Sequence, residues 1–370
     1  MTISKKIKVC ILTSVHPPFD VRIFHKEAKS LVKAGYDVTL IAQHDKEEIV
    51  DGVKIINLQK PRNRIERMTK TIWSAYRKAV QVDADIYHFH DPELIPVGLL
   101  LKKIGKSVIY DVHEDYFESI KLKEWLPSFV RYSIADVFKR FEIHASRKFD
   151  VVITATEMIG KRFFQEKCNA AWISNYPKED ELIPPDGDRC VTTAKVCFVG
   201  GIGVVRAIRE MTLAAYRANV PLILAGSFES ESLCREMKAQ KEWSIVEERG
   251  YVDRCGISEI FTQSIAGLIL YHSHPTAPYS QPNKLFEYMA AGLPVVASNY
   301  PLWKEIIVDN NCGICVDPLN IEEISNAISY MVSHPSEAKK MGDNGRKAVL
   351  NRYNWTMEEK KLFQVYKDIG

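Results

Sequence analysis

The feature that most constrains this chain is an alternation of short, nearly continuous apolar runs with helical segments, present twice. In the first half the runs are IKVCILTS (7–14), DVTLIAQ (37–43), VKIINL (53–58), DIYHFH (85–90), SVIYDVHE (107–114), VVITAT (151–156) and AAWISNY (170–176). Helical patterns fill the gaps at 20–34, 65–80, 93–104, 124–148 and 157–167. Strands that are apolar throughout, not at every second residue, are buried on both faces, so this order predicts a parallel sheet covered by helices on each side. A polar, proline-rich stretch, PKEDELIPPDGDRC (177–190), interrupts the pattern and reads as a linker. The alternation then restarts with KVCFVG (195–200), PLILAG (221–226), SIVEERGYV (244–252), AGLILYHS (266–273), PVVASN (294–299) and GICVD (313–317). Helices are expected between them at 204–218, 230–240, 256–264, 282–291 and 301–308, and a helical end over 321–369 is broken at Pro335 and near Asn354. The expected fold class is α/β, with two doubly wound, Rossmann-like domains and a cleft between them, onto which the carboxyl ends of both sets of strands open.

Size and charge fit this reading. A chain of 370 residues, 46% hydrophobic, exceeds what one core usually serves. Charged residues make up 26% and the net charge is +3, which excludes a disordered chain and a dedicated nucleic-acid binder. The charge is uneven: residues 1–175 carry 29 Lys+Arg against 22 Asp+Glu, and residues 176–370 carry 21 against 25. The basic clusters are KPRNRIERMTK (60–70), Lys102-Lys103 with Lys106, and VRYSIADVFKRFEIHASRK (130–148), the last with Trp125, Phe129, Phe138 and Phe141 in or beside it. Such clusters are either solvated helix faces or a surface that rests on an anionic membrane.

The eight cysteines, at 10, 168, 190, 197, 234, 255, 312 and 315, are scattered in apolar contexts, the usage of reduced thiols in a cytosolic protein. Cys312-Gly-Ile-Cys315 has no second pair at zinc-site spacing. No apolar run approaches the ~18 residues of a membrane span, and KKIKVCILTSVHPP reads as a first strand, not a signal peptide. The expected location is the cytoplasm, with at most peripheral contact at the inner face of the membrane.

The polar residues collect at strand ends. SVHPPFDVRIF (14–24) follows the first strand and carries His16, Asp20 and Arg22; HFHDPEL (88–94) closes the fourth; YDVHEDY (110–116) closes the fifth with His113 and Glu114. In the second half FVGGIGVVRAIRE (198–210) turns from strand to helix through Gly200, Gly201 and Gly203 and reaches Arg206. A glycine-rich turn admits a diphosphate to backbone N–H groups, and an arginine supplies the matching charge. The spacing is not G-x-G-x-x-G, and no acidic residue ends the next strand, so a nicotinamide cofactor is disfavoured. His88 and His90 share one strand face, as do His272 and His274, but carboxylate partners at ligand spacing are poor and no metal site is expected. No G-x-S-x-G elbow or P-loop occurs.

The stretch SQPNKLFEYMAAGLPVVASN (280–299) combines a polar turn, a short helix and a buried strand. Pro282 suits the first helical turn, and the free N–H groups and positive dipole end of that helix suit an anion. An ordinary capped helix is the alternative.

Across about 350 residues, HPPFDVRIFHKEAKSLVKAGYDVTLIA, YHFHDPEL, VIYDVHED, CFVGGIGVVRAI, PNKLFEYMAAGLPVVAS and RYNWTMEEKKLFQVY, in this order, resemble the family-four retaining glycosyltransferases, nucleotide-sugar-dependent enzymes of GT-B fold. The resemblance implies an N-terminal acceptor domain, residues 1–178 with a returning C-terminal helix 352–370, and a donor-binding domain over 190–351. It implies that Glu287, the second Glu of the family's E-x7-E element, binds the donor ribose; that Asn283, Lys284 and Leu285 bind its phosphates and sugar through backbone N–H groups; and that Arg206 neutralises the leaving diphosphate. It further implies that Gly201, Gly203, Gly226, Tyr251 and Val252 border the nucleotide, and that His113 meets the donor sugar. The first Glu of E-x7-E is Tyr279 here, and the family's paired basic residues reduce to Arg206, with Lys284 as a substitute. The acceptor, a glycan or lipid-linked saccharide, is expected near His16, Asp20, Arg22 and Glu114.

The implied reaction moves a hexosyl group from a nucleotide diphosphate sugar, a UDP-sugar, to a hydroxyl, with retention, in surface polysaccharide biosynthesis. It needs no cofactor, metal or nucleic acid. Two alternatives are a non-catalytic nucleotide-sugar-binding protein, suggested by Tyr279, and a nucleotide-sugar epimerase.

Overall fold

The computed structural model describes residues 6–123, 126–179, 194–273 and 280–370. The chain forms two compact units, Met1–Asn175 with Met357–Gly370, and Tyr176–Thr356.

The first unit is built on strands β1 (Lys8–Leu12), β2 (Asp37–Gln43), β3 (Glu48–Val50), β4 (Val53–Leu58), β5 (Ile86–Phe89), β6 (Ser107–Val112), β7 (Val151–Thr154) and β8 (Ala170–Trp172). Their order in the sheet is β3-β4-β2-β1-β5-β6-β7-β8. Every pairing is parallel except β3 with β4. The sequence pattern misses β3, a three-residue edge strand too short to show a period. Cys10 and Leu12 enter one core with Tyr87, Phe89, Tyr110 and Phe149. Burial on both faces is why the strands read as unbroken apolar runs.

The helix expected over 20–34 is a π-helix at Val21–Ala28 that continues as an α-helix at Lys29–Lys33. Asp20 caps it, its carboxylate accepting from the N–H groups of Arg22 and Ile23. The wider turn leaves Arg22, Lys26 and Glu27 all buried beside Ile23, Phe24 and Ala28. The last helix, Trp355–Ile369, packs into the first unit from residue 357 onward. There the Tyr366 hydroxyl lies 2.9 Å from His88 Nδ1, and Glu358 accepts from Ser174 N at 2.8 Å.

The second unit has a six-stranded, wholly parallel sheet: β9 (Val196–Val199), β10 (Leu222–Ala225), β11 (Val246–Gly250), β12 (Ala266–Ile269), β13 (Val295–Ser298) and β14 (Gly313–Val316), in the order β11-β10-β9-β12-β13-β14. Alternate residues of β9 feed two cores. Cys197 and Val199 meet Phe286, Tyr288 and Trp303 on one face. Val196 and Phe198 meet Met211, Ile324 and Ile328 on the other. The helical end resolves into Ile321–Ser333, Pro335–Asn351 and Trp355–Ile369, broken where Pro335 and Asn354 stand.

Among the described residues the cysteines are free thiols, and burial pushes Cys312 up to about 12 and Cys315 up to about 11, far from reactive thiolates. No helix among the described residues is long and apolar enough to cross a membrane.

Candidate functional site

Each sheet has one place where the chain leaves adjacent strands in opposite directions. In the first unit this is between β1 and β5, with β2 on one side and β6 on the other. Such a switch point leaves a crevice beyond the carboxyl ends of the strands. The residues following β1 and β5 tie that end together: Asp91 accepts from Thr13 Oγ1 at 2.8 Å and from Ser14 N at 2.6 Å. The His16 ring lies 3.5 Å from Asp20 and 3.7 Å from Asp91. Burial opposes the charge on His16, but Asp20 and Asp91 outweigh it and raise its basicity. Burial likewise opposes ionisation of Asp20, and the His16 and Ile23 hydrogen bonds outweigh it, holding the carboxyl well below its ordinary value.

His113 follows β6 and is 16% exposed, its Nε2 3.0 Å from His90 Nδ1 and its ring centroid 5.1 Å from that of His16. Burial above all pushes it down to about 3, so its imidazole is neutral at ordinary pH. Glu114 is exposed and accepts from Ser119 Oγ at 3.0 Å.

Two sequence expectations change here. Arg22, expected to meet the acceptor, is 3% exposed and donates to both oxygens of Asp111, at 2.9–3.1 Å, and to Ile173 O at 3.0 Å. Its role in this structure is an internal ion pair. The expectation that His88 and His90 lack carboxylate neighbours also fails, because the fold supplies Asp111 from β6 and Glu27 from the capped helix. Glu27, His88, His90 and Asp111 bring ligand atoms within 4.8 Å of one another, close enough to hold a metal ion. The Arg22 guanidinium, 2.9 Å from both Glu27 and Asp111, already supplies positive charge among these carboxylates. Sequence reasoning missed Glu27 and Asp111 as site neighbours. The available signal was the charged trio at 22, 26 and 27 on a helix that must cover a sheet, since charges on a buried face imply partners.

In the second unit the switch point lies between β9 and β12. A cavity of about 500 Å³ opens there, lined by Gly201, Gly203, Arg206, Glu229, Tyr271 and Pro282 among others. The backbone requires glycine at 226, and the Arg206 side chain crowds the position of Gly201. A Cβ on Gly226, whose φ is +142°, would stand 1.8 Å from Gly200 O, and one on Gly201 would stand 2.1 Å from Arg206 Nη1. Arg206 Nη1 donates to Gly201 O at 2.6 Å, and its guanidinium sits over the Tyr271 ring at 5.9 Å. Glu229 accepts from Val204 N at 3.0 Å, so an acidic residue does follow β10, four positions beyond its end.

The helix Asn283–Ala290 begins beside this cavity, with Pro282 preceding it and no side-chain cap. Its first-turn N–H groups lack intrahelical partners, but Leu285 N donates to Pro282 O at 3.0 Å. Leu285 is therefore a core residue whose N–H is engaged, which leaves Asn283 and Lys284 as the backbone donors expected there. Glu287 is 7% exposed and paired with Lys284 and, at 2.9 Å, with Arg254. Burial opposes its charge, and the two cations outweigh it, keeping the carboxyl below its ordinary value. Arg254 was not among the expected site residues. Tyr251 is 85% exposed, while Val252 packs against the core. Tyr279 and His274 lie outside the described residues; His272 Nε2 lies 3.0 Å from Glu210.

Comparison with known proteins agrees with this architecture. The family model described as Glycosyltransferase Family 4 matches residues 21–172, and that described as Glycosyl transferases group 1 matches residues 196–348. An uncharacterized glycosyltransferase of Methanocaldococcus jannaschii is 22% identical over 98% of each chain. Among solved structures, sucrose-phosphate synthase from Thermosynechococcus elongatus superposes with a TM-score of 0.76 at 16% identity, covering 98% of this chain and 99% of that one. Anabaena HepE in complex with UDP-glucose superposes with a TM-score of 0.74 at 13% identity, covering 98% and 100%. Two parallel-sheet units, each with a switch point, and glycosyltransferase family matches over both units make this chain a family-4-like glycosyltransferase with the GT-B fold.

Proposed function

We propose that the protein transfers a hexosyl group from a nucleotide diphosphate sugar to a hydroxyl of a glycan or lipid-linked saccharide, with retention at the anomeric carbon, in surface polysaccharide assembly. The observation that carries this reading is the second-unit cavity, which joins a glycine-rich turn, Arg206 and an uncapped helix start. A diphosphate fits that chemistry, and HepE, of the same fold, is in complex with UDP-glucose. Glu287, held ionised by Lys284 and Arg254, has the lone pairs to accept from a ribose diol. As the diphosphate leaves, charge builds on its oxygens, and Arg206 with the helix start stabilises that charge more than the ground state. Retention then follows if the departing phosphate takes the acceptor proton on the same face. His113 orients the donor sugar, and His16 with Asp20 borders the acceptor.

Incubation with a panel of nucleotide sugars and a lipid-diphosphate acceptor tests the proposal. Released nucleoside diphosphate with an α-configured product from an α-donor supports it. A free isomeric sugar nucleotide would indicate an epimerase, and binding without turnover a non-catalytic protein. Glu287→Ala should weaken donor binding by about 1–3 kcal/mol, the cost of leaving hydroxyls unpaired, read by calorimetric titration. An unchanged affinity contradicts the ribose assignment.

The membrane side of the proposal rests on the helix Ser128–Ser146, which exposes Phe129 (83%), Tyr132 (66%) and Val137 (68%) beside Arg140. Apolar side chains mixed with basic ones suit an anionic bilayer surface. The protein should float with anionic liposomes at low salt and be released at high salt; protein that stays wholly unbound at low salt contradicts a membrane-held acceptor.

A further inference from the structure

We infer that Glu229 sets the choice of donor by accepting a hydrogen bond from a hydroxyl of the transferred sugar. The inference deepens the proposed function and rests on its reading of the second-unit cavity as a nucleotide-sugar site.

β10 ends at Ala225, and the chain then runs beside the glycine-rich turn before the helix Glu231–Lys238 begins. Ile202 and Phe228 pair as a parallel β-bridge, Ile202 N donates to Ser227 O at 2.9 Å, and Glu229 N donates to Ile202 O at 2.9 Å. Phe228 packs against the core that holds Phe198 and Met211, its ring centroid 6.0 Å from that of Trp243. The backbone at 229 is therefore fixed. Its side chain is fixed as well, because Oε1 accepts from Val204 N at 3.0 Å. The second oxygen, Oε2, lies against Gly203 and makes no hydrogen bond among the described residues. Glu229 is exposed and lines the cavity, so this oxygen is available to a ligand.

Charge decides what that oxygen can face. An ionised carboxylate only accepts hydrogen bonds, and it repels a diphosphate. Arg206, on the wall of the same cavity, supplies the cation for phosphate, which leaves Glu229 to a neutral part of the ligand that carries hydroxyls. The ribose is assigned to Glu287. Neither Glu287 nor Arg254, Tyr251 or Val252 is among the residues lining this cavity, so the part of the donor that shares it with the phosphates is the sugar beyond them. A fixed, charged acceptor makes a strong hydroxyl contact and rejects a sugar that lacks the hydroxyl. It acts again after transfer, when the released diphosphate carries one more negative charge beside the same carboxylate and is pushed to leave.

The test is calorimetric titration of the full chain with UDP-glucose, UDP-galactose, UDP-N-acetylglucosamine and GDP-mannose, and with UDP and GDP. The tightest-binding sugar nucleotide is then compared with its monodeoxy-sugar analogues. Wild type should bind one such analogue roughly 10- to 100-fold more weakly than the parent, the scale of a hydrogen bond to a charged group. Glu229→Gln keeps an acceptor for Val204 N. It should weaken the parent by a similar factor, lose the discrimination against that analogue, and bind the free nucleoside diphosphate as tightly as wild type or more tightly. An equal loss for sugar nucleotide and free diphosphate marks a structural role and overturns the inference. So does wild type that treats every analogue as the parent, or discrimination that survives in Glu229→Gln. The two readings fail differently: if wild type binds neither the four sugar nucleotides nor UDP or GDP, the proposed function falls and the inference with it, whereas nucleotide binding with selectivity untouched by Glu229→Gln sinks the inference alone.

Discussion

The Arg22→Ala variant should be about 3–5 kcal/mol less stable than wild type, read as the midpoint and slope of urea unfolding. The reason is geometric. The guanidinium meets both Asp111 oxygens and stands 2.9 Å from Glu27, and none of these three side chains is more than 3% exposed. Truncation leaves two acidic groups buried without their cation and an orphaned carbonyl at Ile173. Arg22→Lys should recover little, because an ammonium cannot reproduce the two-point contact. Replacing the pair together, as Arg22→Met with Asp111→Leu, should be less harmful than Arg22→Ala, since only one of the two buried acidic groups then remains without its cation. A loss below about 1 kcal/mol for Arg22→Ala would return Arg22 to the ligand-binding role its sequence position suggests.

On the proposed reaction, Arg206→Ala should lower kcat by about 10²–10³-fold while weakening nucleoside diphosphate binding much less. Arg206 stands at the cavity, fixed by Gly201 O and the Tyr271 ring, so its charge is placed before the donor arrives. A prepositioned cation acts most on the step in which phosphate charge increases. Steady-state kinetics with a parallel titration of the free diphosphate separates the two quantities. Equal, small effects on both would contradict the assignment.

Most of the fold was legible because parallel strands buried on both faces leave a long apolar signature, as VCFV (196–199) and VVAS (295–298) do. The exceptions are local. The edge strand Glu48–Val50 and the π-helix at Val21–Ala28 depend on tertiary contacts that no short window carries. In the second unit, strand-end reasoning pointed to the glycine turn and Arg206, and the family resemblance pointed to Glu287. Both missed Arg254, because Arg254 and Glu287 are 33 positions apart and meet only through the sheet. In the first unit the histidines were found but not their setting. Glu27 lies on a helix and Asp111 lies inside β6, far apart in sequence, and only the tertiary fold gathers them around Arg22.

The most direct measurement is the crystal structure of the protein with a hydrolysis-resistant nucleotide diphosphate sugar. The account predicts the diphosphate within hydrogen-bonding distance of Arg206 and of the first-turn N–H groups of the helix Asn283–Ala290, with the ribose hydroxyls on Glu287. A ligand bound away from the glycine-rich turn, or Glu287 still closed on Lys284 and Arg254 with no ribose beside it, would contradict it.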